Sequence, residues 1–452
     1  MSTNSIVDWM KEIPESFAEE SALEFAPPSR KRRRLNPTTP ESSNDNDVDQ
    51  NLIIMPLERD ESPSKRHAPA DDETPRAPHK RIQTPRSESN YSLSGQSQQS
   101  FQSSERSAGR LSPQKHLERL KLSPHGIRFR DLIHFDDKPP SLEALLETVD
   151  IIMEGKGIIS SSTREALELA AQSHKDLKWV SRGSEYFSEN RDKVGHTPSP
   201  EAVLSVVAAA AECSTYGHPE ANWNLEVHQR VLELAFRPPG QAAFKHLVNF
   251  IGSTTAAIIP TYGKPSPSKK VDFCIYIEPE NDKSSAATST TSIRSAIASF
   301  RDTLPGRILN FTDFAPLDQR PIALSIETKK PSEGFDSAKL QLGVWQMAHW
   351  VFLRRLVERP LAEAQAEAGE GEKAAGLVKL PAFIPGIIIQ GHDWHLNFTT
   401  PEAQQTLFWQ KVVIGSTSSA KGVYQIVHIL QVLRQWVKDE YWSWLRDAIL
   451  RG

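Results

Sequence analysis

A carboxylate and an ammonium stand two residues apart in Ser325-Ile326-Glu327-Thr328-Lys329-Lys330-Pro331, inside a run that is otherwise aliphatic. Residues 322–329 alternate. Ile322, Leu324 and Ile326 fall on one face, and Ala323, Ser325, Glu327 and Lys329 on the other, which is the pattern of a β-strand. Side chains two apart in a strand emerge on one side, about 7 Å apart at the backbone. The small Ala323 and Ser325 beside them leave room for a ligand. Charges in such a strand are costly unless paired, exposed or bound to a metal. Residues 270–277 alternate in the same way, with Asp272, Cys274 and Tyr276 opposite Val271, Phe273, Ile275 and Ile277. If the two strands are neighbours, Asp272 and Glu327 can share a divalent cation in the oxygen-rich setting that Mg2+ or Mn2+ accepts. Such an ion ionises water and stabilises charge on a phosphate oxygen. Lys329 would orient that water or neutralise the developing charge. The chemistry that fits is phosphodiester hydrolysis. Taken singly, each residue has a plainer reading. Asp272 can pair with Lys269 or Lys270, and Glu327 with Lys329 can be a solvated pair on an edge strand.

These strands need elements to position them. Residues 220–236 put Trp223, Val227, Val231 and Leu234 on one helical stripe, flanked by Glu226 and stopped by Pro238-Pro239-Gly240. Glu226 reads either as a site residue or as an i,i+4 partner of Arg230. The β-branched stretch 254–262 is expected to be a strand. A helix over 337–358 follows the Glu327 strand, packed by Leu340, Val344, Met347, Ala348 and Val351. Strands are expected at 383–390, 396–398 and 406–414, and Ser419 is expected to cap a final helix over 421–450. Upstream, short helices are expected at 112–122, at 141–153 with Ser141 as cap, at 163–172 and at 198–212. Stretch 280–300 reads as an inserted surface loop, with a short helix at 292–300 as an option, and 361–376 as a mobile or helical surface insert. His228, the turn pair His392-Asp393 and the terminal Trp436, Trp442 and Trp444 read as packing or turn residues rather than ligands or base-stacking groups.

The composition sorts the partners. With 38% hydrophobic and 24% charged residues the chain is ordinary globular material. A net charge of −4 gives no whole-chain basic footprint, so nucleic acid would be met by local patches. Two cysteines, Cys213 and Cys274, are too few for a disulfide framework and fit a reducing compartment. No apolar run suggests a secretion signal or a membrane span. Residues 1–110 are rich in Ser, Pro, Gln, Arg and Asp without periodicity and are expected to be a disordered arm. The arm carries Arg30, Lys31, Arg32, Arg33 and Arg34, which read as a contact for an import receptor, hence a nuclear location, with the cytoplasm as the alternative. Ser62-Pro63, Thr84-Pro85 and Ser112-Pro113 are possible phosphorylation sites.

The order helix, strand, strand with Asp272, strand with Glu327 and Lys329, helix, strand resembles the PD-(D/E)XK nuclease superfamily. Its core is α-β-β-β-α-β, with an acid on the second strand and Glu/Asp-x-Lys on the third. Gln341-Leu342-Gly343-Val344-Trp345-Gln346, Gln390-Gly391-His392-Asp393-Trp394 and 414–419 add a likeness to fungal nuclease-like proteins with a long N-terminal arm. The resemblance covers about residues 200–445. It implies an α/β fold of restriction-endonuclease type with added N- and C-terminal helices, arranged as an arm at 1–110, a helical lead-in at 111–200 and a nuclease-like domain at 201–452. It implies catalytic Asp272, Glu327, Lys329, Glu226 and Gln341. Asp272, Glu327 and Glu226 would hold Mg2+ or Mn2+. Gln341 enters through the Gln-x-x-x-Tyr motif of some relatives, which here reads Gln341-x-x-x-Trp345, with Gln346-x-x-x-Trp350 overlapping it. The implied activity is hydrolysis of DNA rather than RNA. The alternative is a nuclease-fold module that binds nucleic acid or protein without cutting.

Overall fold

The computed structural model describes residues 112–263, 270–283, 290–367 and 379–450, all within one unit, Phe101–Gly452. The expected arm, its basic cluster at 30–34, the first two phosphorylation motifs and most of the insert at 361–376 lie outside these residues.

In chain order the elements that matter are α1 (Pro113–Leu122), β1 (Ile127–Asp131), α2 (Pro140–Glu154), β2 (Ile159–Ser160), α3 (Arg164–Ser173), β3 (Phe187–Ser188) and α4 (Pro200–Thr215). Then come α5 (Glu220–Trp223), a π turn (Asn224–His228), α6 (Gln229–Phe236), β4 (Val248–Gly252), β5 (Phe273–Ile277) and α7 (Thr290–Asp302). The chain continues through β6 (Ile322–Lys329), α8 (Phe335–Glu367), β7 (Ile384–Gln390), β8 (Asp393–Glu402) and β9 (Gln405–Ser416) to α9 (Ala420–Trp436) and α10 (Trp442–Leu450). Seven strands form one mixed sheet in the order β1-β9-β8-β7-β6-β5-β4, parallel at β1/β9 and β6/β7 and antiparallel elsewhere. Every residue of β5 and β6 is buried, because helices cover both faces of the sheet centre. That is why the polar residues alternating along β6 include a buried Glu327 and a buried Lys329, with a buried Asp272 just before β5. Gly386 lets α8 lie close on the sheet: a Cβ there would come within 2.5 Å of Gln346 Nε2.

Several expectations need correction. The strand before β5 is not 254–262 but Val248–Gly252. Residues 254–262 form turns, with one antiparallel bridge, Ile258 to Thr312, made by the Ile259 N–H to Phe311 O and Asp313 N–H to Ala257 O bonds. The β4 strand is short and holds Asn249 at its second position, which hides the alternation. That amide is engaged, with Oδ1 accepting from Arg237 Nε at 3.1 Å. Ser141 does not cap α2, because the helix begins at Pro140 behind Pro139. Proline, with φ preset and no N–H to leave unpaired, favours that first turn.

The residues on either side of position 200 lie in one compact unit. The lead-in supplies β1, which pairs with β9 at the sheet edge. Its buried Arg191 donates to Ile158 O (3.2 Å), Gly195 O (2.7 Å) and, on α9, Gln431 Oε1 (2.6 Å). Removing one side of that junction would leave a buried guanidinium short of acceptors. The terminal tryptophans pack as expected. Trp436 and Trp442 are buried, and Trp442 Nε1 donates to Asp282 Oδ2 at 2.8 Å. Among the described residues no helix is long and apolar enough to cross a membrane.

His349 on α8 is buried between Phe311, stacked at 4.7 Å, and Tyr441, whose hydroxyl lies 2.9 Å from Nε2. Burial pushes its pKa down from 6.5 to about 3. As pH falls below 6.5 the unfolded chain takes up a proton that the folded chain refuses. The stability tied to His349 is therefore full above pH 6.5 and is lost toward pH 3. Between pH 7.5 and 5.5 the protein should lose about 1.4 kcal/mol relative to His349→Leu. Urea unfolding of both proteins at the two pH values checks this. A constant difference would mean that the ring is not held neutral.

Candidate active site

The first helix reaches the sheet through α5 and the π turn. Glu220 and Asn224 are four apart and share a face. The π turn adds a residue to the helical circuit just where the helix meets the strands, a distortion common at functional sites. Asn224 Nδ2 donates to Asp272 Oδ1 at 3.2 Å, and Asn224 Oδ1 lies 2.9 Å from His228 Nδ1. The other ring nitrogen, Nε2, lies 3.1 Å from Gly391 O in the β7–β8 turn, where φ is +57°. His228 is fully buried, and burial pulls its pKa down to about 4. A neutral ring has one N–H for the two oxygens that face it.

Asp272 stands one residue before β5, with its backbone N–H donating to Ile326 O on β6 (3.0 Å). Its Oδ2 accepts from the Thr328 backbone N–H (2.8 Å) and hydroxyl (2.9 Å). Three donors thus fix the carboxylate. Glu327, 1% exposed, accepts from Lys329 Nζ at 2.6 Å and from Gln341 Nε2 on α8. Lys329 Nζ also reaches Thr328 O (2.7 Å) and Glu220 Oε2 (3.2 Å). Gln341 therefore sits on the strand carboxylate, whereas Gln346 donates to Pro385 O (3.1 Å). Trp345, in the tyrosine position of the motif, is buried and donates to Ser325 Oγ at 2.9 Å.

The structure brings Asp272, Glu327, Lys329 and Gln341 together, and leaves Glu226 out. Glu226 is 42% exposed and pairs with Arg230 at 2.5 Å. Two residues along a helix from Asn224, it is turned about 200° away from the strands. The carboxylate that the helix does supply is Glu220. It was not singled out in the sequence, nor were Asn224 and Thr328. The one signal available was that Glu220 and Asn224 share a helical face.

The electrostatics are those of a crowded acidic site. Burial raises Glu327 well above its ordinary value, and the charge of Asp272 adds to this against the pull of Lys329 and Gln341. Burial also raises Asp272, against the Thr328 N–H, Lys329, the Thr328 hydroxyl and Asn224. Glu220 is raised by burial as well. Burial would lower Lys329, but Glu327, Glu220 and Asp272 together outweigh it and hold the ammonium above its ordinary value. One ammonium faces three carboxylates. Among the described residues no group of three or more His, Cys, Asp and Glu side chains is gathered as an ion cage. The oxygen donors of Asp272 and Glu327, both buried and short of positive charge, fit a divalent cation that keeps several waters.

A family model described as the PD-(D/E)XK nuclease superfamily matches residues 168–442. No curated protein and no solved structure matches the chain.

Proposed function

The chain belongs to the PD-(D/E)XK nuclease superfamily, and on that premise we propose that it is a nuclease that hydrolyses phosphodiester bonds in DNA with Mg2+ or Mn2+. The observation that carries this reading is the convergence of Asp272, Glu327 and Lys329 at the paired ends of β5 and β6. Asp272 and Glu327 would hold the ion, which when bound activates water and stabilises charge on a phosphate oxygen. The chain's own groups do the rest. Thr328 and Asn224 fix Asp272. Gln341 orients Glu327. Lys329 holds its proton, and its ammonium supplies positive charge where negative charge develops.

A second reading, a nuclease-fold module that binds nucleic acid without cutting, draws on the saturation of Glu327 by Lys329 and Gln341. The two readings separate on supercoiled plasmid DNA. The full chain should nick it with Mg2+ or Mn2+ and not with EDTA, and Asp272→Asn should stop the nicking. Binding without metal-dependent nicking would leave the second reading. Equal nicking by Asp272→Asn would remove the first.

A further inference from the structure

The β9 strand is irregular where it faces β8. Leu396 pairs with Val412 and Phe398 with Trp409, so Gln410 and Lys411 both stand opposite Asn397. This is a β-bulge, a device that re-aims a side chain. Lys411 has φ +77°, the left-handed region in which such bulges ordinarily carry glycine. Fully buried Asn397 secures it, with Oδ1 accepting from the Lys411 N–H at 3.1 Å and Nδ2 donating to His395 O at 3.1 Å.

The bulge carries Lys411 Nζ to 5.1 Å from the centre of the Phe335 ring. Lys339 Nζ lies 5.9 Å from the same ring and 5.7 Å from that of Phe129. His395 meets Phe335 edge-on at 5.5 Å, and its Nδ1 is buried without a hydrogen-bond partner. Lys339 is paired with Asp336 at 2.7 Å. Lys411 is exposed and forms no ion pair among the described residues. A lysine thus occupies a glycine conformation, shares one aromatic platform with a second ammonium, and has no anion of its own. Backbone strain kept at such a place points to a use outside the fold. Phe335 opens α8 six residues before Gln341, about 9 Å along the helix axis. A duplex axis parallel to that line advances two to three nucleotides over it, at a rise of about 3.4 Å each.

We propose that Lys411, held beside Lys339 over the Phe335 ring, contacts the phosphate backbone of a nucleic-acid strand lying across the Glu327 site. The ligand class rests on the nuclease-fold reading, but the contact does not require that the site cut.

The test is fluorescence anisotropy of a labelled DNA duplex with the full chain in EDTA, over a range of salt concentrations, for the wild type, Lys411→Gly and Lys411→Arg. Losing one phosphate contact should make the slope of log K against log salt shallower by about 0.9. It should also weaken binding roughly tenfold at 0.1 M salt. Lys411→Arg should keep the slope. Glycine adopts φ +77° freely, so Lys411→Gly should not lower the Tm, which separates lost contact from lost fold. An unchanged slope in Lys411→Gly, or a wild type that does not bind, overturns the proposal. Weakened binding in Lys411→Gly beside a wild type that never nicks plasmid would defeat the cleavage reading and leave this contact standing.

Discussion

Lys329→Met should lower metal-dependent cleavage by about 10²–10³-fold, the usual cost of removing a group that stabilises developing charge. The same change should destabilise the protein by about 3–5 kcal/mol near neutral pH, because a buried carboxylate loses its cation. Glu327 is 1% exposed and Lys329 6% exposed, so water cannot take over the ammonium's place without rearrangement. The variant has one escape, protonation of Glu327, which already titrates well above its ordinary value through burial and the Asp272 charge. A carboxyl raised in the folded state stabilises fully below its unfolded pKa and loses that contribution as pH rises through the folded pKa. The deficit of Lys329→Met should therefore grow toward alkaline pH and shrink toward acid pH. Urea unfolding across pH 6 to 8.5, beside single-turnover cleavage, measures both effects. The double variant Lys329→Met with Glu327→Gln should recover much of the stability and none of the cleavage. Recovery of both would reduce the pair to a structural role.

The two helix glutamates should behave in opposite ways. Glu220→Ala removes the second carboxylate on Lys329, leaving Nζ with Glu327 and the Thr328 carbonyl. Cleavage should fall by about 10-fold or more, since a misplaced charge near a reacting centre is costly. Glu226→Ala breaks a half-exposed i,i+4 pair with Arg230, of a kind that contributes about 0.3–0.5 kcal/mol. Its cleavage should stay within about twofold of the wild type, a change too small to implicate a group at the reacting centre. Initial rates with Mn2+ for the two variants settle the assignment. A larger loss in Glu226→Ala would mean that the helix turns differently against the sheet when substrate is bound.

Most of the strand framework was legible in the sequence because period-two alternation is a local property. Ile322–Lys329 emerges with the bounds expected of it, and its alternation already put Glu327 and Lys329 on one face. The same logic placed Asp272 opposite the aliphatic residues that precede and follow it. It failed at β4, where Asn249 interrupts a five-residue strand, and at 254–262, where β-branched composition stood in for a pairing that stops at one bridge. It also failed to see β1 as a partner of β9, since strands some 280 residues apart leave no local trace of their pairing.

The sequence by itself determined that two carboxylates and a lysine stand on alternating strands, in an order that matches a nuclease core. Only the tertiary structure decided which helix residues join them. A helix turns 100° per residue, so its rotation against the sheet selects Glu220 and Asn224 and turns Glu226 to solvent. That rotation is set by packing of Trp223, Val227 and Val231, and by the extra residue of the π turn. Strand pairing alone brings the Thr328 hydroxyl to Asp272, and with Lys329 and Gln341 it crowds a buried acidic site. Propensity acts over neighbours in the chain, whereas the charge balance of this site is fixed by residues that meet across three separate elements.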